Sequence, residues 1–437
     1  MRHPRPIVLK FGGAALGRPA SVVERIRNSR KSGRPVVVVV SARRGVTDRL
    51  EAILAHPARV SGHHRAVEWI RRAHPGLPGE GGRLLRRLED LVAGVERSGS
   101  VDGPAADQLR SCGERLAAHW LTELLRGEQL PAVAVESDRA GLVTDNAYGH
   151  SLVLLTESTR RLRPYLERLL ARGRLPIVTG YFGRSLEGRV ATLGRGGSDY
   201  SASAIGAILG AERVELVKLA SSVRTADPRL VGAARPIRRL SFEEAEELAQ
   251  FGARVLHPLT IEPARRAGFE LWIRSVDEPE LVTVIGPAGG RHGARAVTLL
   301  APLRLLRVRV PGGRQRPGVV AEVSTALAKA GINLVTLFTS SALLSLVVRP
   351  DDTTAARAAL APVTDGAAVV EGPHPVGLVT GIGEGILQDL GRMPRRVLGA
   401  SQGFSATPRS ISLAVPLGAS RAALEAVHRA IVLEAGR

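Results

Sequence analysis

Residues 192–203 form a glycine-rich stretch that carries the side chains best suited to chemistry. Three glycines within four positions let backbone N–H groups approach an anion closely, and the apolar helical pattern that starts at Ser198 places a helix N-terminus beside them. Arg195 adds a planar cation that can bind a carboxylate with two hydrogen bonds, and Asp199 adds a carboxylate that can orient an ammonium group. The stretch predicts an anion-binding site, with a surface loop that caps a helix as the alternative.

A second candidate lies near the start of the chain. A short β pattern at Ile7–Leu9 ends in Lys10, and Gly12 and Gly13 follow it. A lysine at a strand end beside paired glycines suits phosphate binding, because the ammonium neutralises charge while backbone donors surround the anion. The lysine precedes the glycines, so this is not the nucleotide-binding P-loop. A structural turn after a strand explains the pattern equally well.

The elements that must position these residues follow an α/β pattern. The β-branched run Val36–Val40 predicts a buried parallel strand, and the polar residues 41–48 after it fall at a carboxyl strand end, where ligands bind in open α/β sheets. Further strands are predicted at Ala132–Val135, Leu175–Gly183 and Glu212–Lys218, and helices near Ser21–Ser29, through residues 49–130 with a break at His74–Gly82, and at Ser241–Gln250. The alternation predicts an α/β layer fold with a mostly parallel sheet.

The last third of the chain repeats a different order of elements. It predicts strands at Arg304–Val310, Ala342–Val348, Val376–Ile382 and Ser410–Val415, and helices at Arg316–Ala330, Ile386–Leu398 and Arg421–Leu433. These elements form a β-α-β-β-α cycle that occurs twice.

Composition narrows the class of protein. The 437 residues carry a net charge of +20, but only four of the 61 basic residues are lysine, and the arginines are spread along the chain without an aromatic-rich surface. This pattern does not favour nucleic-acid binding. The lone Cys112 excludes an intramolecular disulfide, and no apolar run approaches the length of a membrane span. With no leader pattern at the start, a cytoplasmic protein that binds no membrane is expected.

Taken together, the motifs closely resemble the aspartate kinase family from residue 7 to residue 437. The matching motifs are Lys10–Gly13, Ser41–Ala42 with Thr47–Asp48, Gly113–Glu114, Thr192–Ser201, Thr225–Arg229 with Ser241–Ala249, and Phe251–Pro258. The resemblance implies an amino-acid-kinase-like three-layer α/β sandwich over residues 1–285. It also implies two C-terminal ferredoxin-like ACT modules over 297–437, with the first module (about 304–370) inserted into the second (about 297–303 plus 374–437).

The resemblance also implies roles for individual residues. Lys10 would stabilise the transferring γ-phosphoryl group of ATP, and Asp199 would orient that lysine. The amino-acid substrate, L-aspartate, would be held by residues of the glycine-rich stretch and of two other segments, namely Ser41, Thr47, Glu114, Arg195, Gly196 and Ser198. Mg²⁺ would enter with ATP, and no protein side chains are expected to form a metal site of their own. The β-carboxylate is already ionised, so no general base is required.

The chain departs from the family on the nucleotide side. Two hydroxyl residues that usually follow the paired glycines are Ala14 and Ala15, and the family's Thr-Asp-Val-Asp-Gly-Val-Tyr run is replaced by residues 218–224. The family's lysine before Val-Leu-His-Pro is Arg254. The predicted nucleotide-binding residues are therefore Gly12, Gly13, Lys218, Arg224, Arg229 and Arg254.

Paired ACT modules bind effector amino acids, and the matching residues here are Asn333 and Gln402. Positions that are acidic in lysine-inhibited members hold Val335 and Ser341, which does not favour lysine as the effector. The modules also imply a homodimer or larger homo-oligomer.

Two functions stay open at this point. Lys10, Glu114, Arg195 and Asp199 favour an active kinase that forms β-aspartyl phosphate or phosphorylates a close analogue. The replaced segment 218–224 favours an impaired paralogue that binds an amino acid as a regulatory protein, or that uses a different acceptor or donor.

Overall fold

The computed structural model describes residues 4–219, 222–252, 256–288, 290, 292–309, 318–340, 343–364 and 369–434. The chain divides into two compact units. The first unit comprises Met1–Val223, Arg238–Ala245 and Val255–Gly289, and the second comprises Arg224–Ile237, Glu246–Arg254 and Gly290–Arg437.

The first unit is built on an eight-stranded sheet with the order β3-β5-β2-β1-β8-β10-β11-β9. Its strands are β1 (Ile7–Phe11), β2 (Val36–Val40), β3 (Ala132–Val135), β5 (Leu175–Thr179), β8 (Arg213–Lys218), β9 (Arg239–Ser241), β10 (Glu270–Ser275) and β11 (Val282–Gly286). All neighbours are parallel except β10 and β11. The same unit contains a small second sheet, which consists of β4 (Val143–Thr144), β6 (Phe182–Ser185) and β7 (Val190–Thr192).

Helices of this unit pack on the sheet or on one another. They are α1 (Pro19–Arg30), α2 (Val46–Ala55), α3 (Val60–Ala73), α4 (Gly79–Ser98), α5 (Gly103–Gly127), α6 (Ser137–Ala140), α7 (Leu155–Ala171), α8 (Gly197–Leu209), α9 (Phe242–Gln250) and α10 (Pro258–Ala267). Helices α1 and α5 contribute to one apolar cluster with alternate residues of β1 and β2, whereas α8 packs with α7, α10 and β1.

The alternation of side chains along β1 directs Lys10 toward α8. Ile7, Leu9 and Phe11 belong to the apolar cluster with α1 and α5. Because successive side chains of a strand point to opposite faces, Lys10 points to the other face. The strand is fully buried and pairs in register with β2 and β8, so the position of Lys10 is fixed by two ladders of hydrogen bonds.

The second unit contains a six-stranded antiparallel sheet with the order β13-β14-β12-β15-β17-β16. Its strands are β12 (Ala296–Arg309), β13 (Thr336–Thr339), β14 (Leu343–Val348), β15 (Val369–Ile382), β16 (Gly403–Ala406) and β17 (Ser410–Pro416). Its helices are α11 (Val319–Lys329), α12 (Thr353–Leu360), α13 (Arg395–Ala400) and α14 (Ser420–His428).

Two long strands, β12 and β15, run through both halves of this sheet. The first part of β12 pairs with the end of β15, and the remainder pairs with β14 and with the start of β15. Each half has its own apolar cluster, one with α11 and α12 and the other with α13 and α14. The strands that the sequence predicts at Arg304–Val310 and Val376–Ile382 therefore correspond to the second parts of the longer strands β12 and β15, with Val310 outside the described residues.

Other differences between the observed elements and those predicted from the sequence have local causes. The predicted strand Leu175–Gly183 is two strands, because Tyr181 adopts a φ of +73° between them. The predicted helix Ile386–Leu398 is a 3₁₀ segment (Ile386–Arg392) followed by α13, since Pro394 separates the two. The last predicted helix ends in a π-helical turn at Arg429–Leu433. No helix of the described ranges is long and apolar enough to cross a membrane.

Candidate active site

A polar cavity of about 560 Å³ opens at the carboxyl ends of β1 and β2. It is bordered by the starts of α2 and α8 and by one face of α5. The lining residues are Lys10, Ser41, Thr47, Glu51, Arg110, Glu114, Gly149, Tyr181, Gly194, Arg195, Gly196, Gly197, Ser198 and Asp199. The structure thus brings both predicted phosphoryl-transfer residues and all six predicted amino-acid-binding residues to one cavity.

Asp199 lies between two lysines. Lys10 Nζ lies 2.5 Å from Asp199 Oδ1, and Lys218 Nζ, at the end of β8, lies 2.9 Å from Asp199 Oδ2. Burial of Asp199 raises the pKa of its carboxyl group, but the two ammonium groups outweigh that effect and hold the pKa below its usual range. The group is therefore a carboxylate, and the cluster that it forms with Lys10 and Lys218 carries one net positive charge.

The glycine loop that precedes α8 depends on positive φ angles. Gly194 and Gly196 have φ values of +69° and +75°, which L side chains rarely adopt. A Cβ at Gly196 would also lie 2.6 Å from the Cβ of His257. The resulting turn places Asp199 in the first turn of α8 and leaves Arg195 exposed at the rim of the cavity.

Arg195 is available to bind a ligand. Among the described residues, no carboxylate pairs with its guanidinium, although the group lies close enough to His257 to lower the pKa of that imidazole, together with the larger effect of burial. An unpaired guanidinium at the mouth of a cavity suits recognition of a carboxylate.

Glu114 is a buried acid on α5. One of its oxygens accepts a hydrogen bond from the Ala42 N–H at 2.9 Å. Burial raises the pKa of this carboxyl group to about 8, although the hydrogen bond and the charge of Lys10 act in the opposite direction. An ammonium group bound beside Glu114 would favour its ionised form.

The cavity contains an ion pair that the sequence reasoning missed. The Arg110 guanidinium donates to both carboxylate oxygens of Glu51, from Nε at 2.7 Å and from Nη2 at 3.1 Å, and to the buried Asp107 from Nη1 at 3.1 Å. Arg110 lies four residues before Glu114, and residues four apart share one helix face. That spacing could have revealed Arg110 once Glu114 was assigned to the site.

Asp107 connects three parts of the cavity wall. Besides Arg110, its carboxylate accepts hydrogen bonds from the Gly149 N–H and from the N–H and hydroxyl of Thr192, at 2.7–2.8 Å. Thr192 is the last residue of β7 before the glycine loop. This fully buried carboxylate was also missed, because nothing in the sequence links it to residue 192.

Tyr181 closes another side of the cavity. Burial and the nearby Glu114 raise the pKa of its hydroxyl to about 12. A Cβ at Gly197 would lie 2.9 Å from the Tyr181 ring, so the ring packs directly on the start of α8.

The predicted nucleotide-binding residues are distributed more widely. The Gly12 N–H donates to the Val217 carbonyl and is therefore not available to an anion. A Cβ at Gly13 would lie 2.2 Å from the Ala42 carbonyl oxygen, which gives this glycine a packing role. Arg224 and Arg229 belong to the second unit, where Arg224 donates to the Ala234 carbonyl and Arg229 pairs with Asp227. Arg254 lies outside the described residues.

The predicted effector residues lie in the second unit. Asn333 is exposed in the turn before β13. Gln402 directly precedes β16, and its N–H donates to the Ala414 carbonyl. The side-chain oxygen of Gln402 is buried without a hydrogen-bond partner beside a cavity of about 300 Å³. Ser341 lies outside the described residues.

Comparison with known proteins agrees with this fold and places the chain in the class of amino acid kinases. The sequence profile of the amino acid kinase family matches residues 5–275. An aspartokinase of Thermus thermophilus is 28% identical, with 98% of this chain and 99% of that protein covered. The lysine-sensitive aspartokinase 3 of Escherichia coli is 30% identical, with 78% of each chain covered.

Among solved structures, Escherichia coli aspartokinase III in complex with aspartate and ADP superimposes with a TM-score of 0.82 at 25% identity. The match covers 97% of this chain and 98% of that chain, so it includes the C-terminal sheet. The chain belongs to the aspartokinases of the amino acid kinase family. The predicted fold class is confirmed, a mostly parallel α/β sheet followed by an antiparallel sheet of the ACT type.

Proposed function

We propose that this chain transfers the γ-phosphoryl group of ATP to the β-carboxylate of L-aspartate and so forms an acyl phosphate. The observation that carries the proposal is the cavity in which Lys10 and Asp199 lie beside Glu114 and Arg195. Lys218 pairs with the same Asp199. The cavity combines a cationic centre for a transferring phosphoryl group with an acid and a guanidinium for an amino acid.

The acceptor would be held by charge complementarity. Glu114 would bind its ammonium group, and Arg195 would bind the α-carboxylate with two parallel hydrogen bonds. Ser41, Thr47 and Ser198 line the same cavity and would complete the polar contacts. The β-carboxylate would then point toward Lys10, with no proton to remove before it attacks.

Phosphoryl transfer depends on positioning and charge neutralisation. Lys10 lies on a strand that is buried on both faces, and Asp199 holds its ammonium group from the first turn of α8. Lys218, which the sequence assigned to the nucleotide, would act on the same transferring group from the opposite side of Asp199.

Mg²⁺ would enter with the phosphates of ATP and would neutralise their charge. The described residues contain no cluster of three or more side chains that could ligate a metal, and both oxygens of Asp199 face lysines. The proposal therefore gives the ion no protein ligands, and no step depends on it.

The proposal extends to the second unit. Residues 297–437 would form two ACT modules, one inserted into the other, that assemble the chain into a homodimer or larger oligomer. Asn333 and Gln402 would bind an amino-acid effector. The unpartnered oxygen of Gln402 supports this assignment, because a buried acceptor without a donor is costly unless a ligand satisfies it.

A second function is favoured by one observation. The segment 218–224 holds no carboxylate and no glycine, so an impaired paralogue that binds an amino acid without turnover would retain the same acceptor site.

One experiment distinguishes the two. Hydroxamate formation is measured with Mg·ATP, L-aspartate and hydroxylamine, which traps acyl phosphates, and aspartate binding is measured by calorimetry. Hydroxamate above a Lys10→Ala control is expected. Aspartate binding without hydroxamate would instead support the paralogue.

A further inference from the structure

We infer that Arg110, held in place by Glu51 and Asp107, is a specificity-determining residue that binds the non-reacting carboxylate of the acceptor together with Arg195. The inference rests on the proposed function, since it assigns a further contact within the same cavity.

The geometry leaves part of the Arg110 guanidinium available. Three of its five N–H groups are used, two by Glu51 and one by Asp107. One N–H remains on each Nη atom. The side chain is 22% exposed and lines the cavity, so these donors have access to a ligand there.

The carboxylates of Glu51 and Asp107 fix the orientation of the Arg110 guanidinium. Asp107 is completely buried and has four hydrogen bonds, whereas Glu51 lies on α2 and is 45% exposed. Held from two helices, the guanidinium loses little conformational freedom when it binds a ligand.

The position of Arg110 matches the far end of an amino-acid dicarboxylate. Arg110 lies one turn, about 6 Å, along α5 from Glu114. Glu114 lies close enough to Lys10 for the lysine charge to act on the pKa of its carboxyl group. With the reacting carboxylate at Lys10 and the ammonium at Glu114, the remaining carboxylate lies on the side of Arg110 and Arg195.

The test compares ligands that differ only at this carboxylate. Calorimetry gives the affinities of L-aspartate and of its α-amide for the wild type and for Arg110→Met/Glu51→Gln. This variant removes both charges of the Arg110–Glu51 pair, while Asp107 keeps its hydrogen bonds from Gly149 and Thr192. In the wild type the α-amide binds more weakly. In the double variant the preference for aspartate over the α-amide is expected to fall by about 10- to 100-fold, the range for a hydrogen bond between charged groups.

Arg126→Ala is the matched control. Arg126 also lies on α5 and pairs with a glutamate three residues away, but it does not line the cavity. It should leave the preference unchanged. Arg110→Lys keeps the charge without the planar fork and should retain part of the preference.

The outcomes separate the two proposals. If the double variant binds L-aspartate and its α-amide more weakly by the same factor, Arg110 only supports the structure and the inference is overturned. A loss of preference without hydroxamate in the wild type would support the inference while the proposed reaction fails. If neither ligand binds the wild type, both proposals are overturned.

Discussion

Replacement of the buried acid Glu114 with glutamine should stabilise the protein at neutral pH. The pKa of this carboxyl group is raised to about 8, above the ordinary value of 4.5 that it has in the unfolded chain. Between these values the folded state binds the proton and the unfolded state does not, so stability decreases as pH rises from 4.5 to 8. Glutamine is neutral throughout, so it removes this loss.

The size of the effect follows from the same pKa. At pH 7 the unfolded chain is about 2.5 units above its pKa, and each unit corresponds to about 1.4 kcal/mol, so the loss is about 3 kcal/mol. At pH 5 it is about 1 kcal/mol. Any change in packing energy caused by the substitution is the same at pH 5 and at pH 7. The difference of about 2 kcal/mol between the two pH values therefore reports only the protonation of Glu114.

Thermal unfolding at pH 5 and pH 7 measures this change. We expect the Tm of Glu114→Gln, relative to that of the wild type, to be about 4–8 °C higher at pH 7 than at pH 5 for a domain of this size. Glu123→Gln, a partly exposed position on the same helix that pairs with Arg126, is the control and should show no such growth. The reasoning is refuted if the difference between Glu114→Gln and wild type is the same at both pH values.

Further predictions concern binding and packing in the same unit. Because the Glu114 carboxyl group is mostly protonated at pH 7, the KM for aspartate should fall about tenfold between pH 7 and pH 9 in steady-state assays, and a flat profile would contradict an ammonium contact there. Lys218→Met should lower kcat by about 10²-fold or more while aspartate binding persists in calorimetry, and an unchanged kcat would remove this lysine from the transfer site. Gly13→Ala should destabilise the protein by about 1–3 kcal/mol in chemical denaturation, because its Cβ would lie 2.2 Å from the Ala42 carbonyl oxygen; wild-type stability would show that the turn can move.

Local patterns were sufficient for much of the fold. The run Val36–Val40 is a strand with those bounds, because a short run made only of β-branched residues favours a strand buried on both faces. The break at Tyr181 was not predicted, because a tyrosine rarely adopts a positive φ and its ring packs on the start of α8, a contact that only the folded chain makes. Sequence patterns report local preference, and such tertiary packing is invisible to them.

In the candidate site, too, local sequence patterns indicated some residues, whereas other contacts exist only in the folded chain. Lys10 and Asp199 were singled out from strand and loop chemistry, and their roles stay predictions until a variant is assayed. The link from Asp107 to Thr192 joins positions 85 residues apart, which only the folded chain brings together. Arg224 was assigned to the nucleotide by its place in the family motif, and that assignment stays a prediction. In the structure its guanidinium donates to the Ala234 carbonyl of the second unit.

The path of the chain between the two units limits how they can be separated. The second unit takes Arg224–Ile237 and Glu246–Arg254 from the middle of the sequence, and Ala226, Val231 and Ala234 pack in its apolar cluster. A fragment that starts near residue 290 would lack these side chains and would expose the surface they cover. Chimeras that exchange regulatory regions between relatives would therefore need to exchange both internal segments as well, since a single junction would leave each parent with part of the other's core.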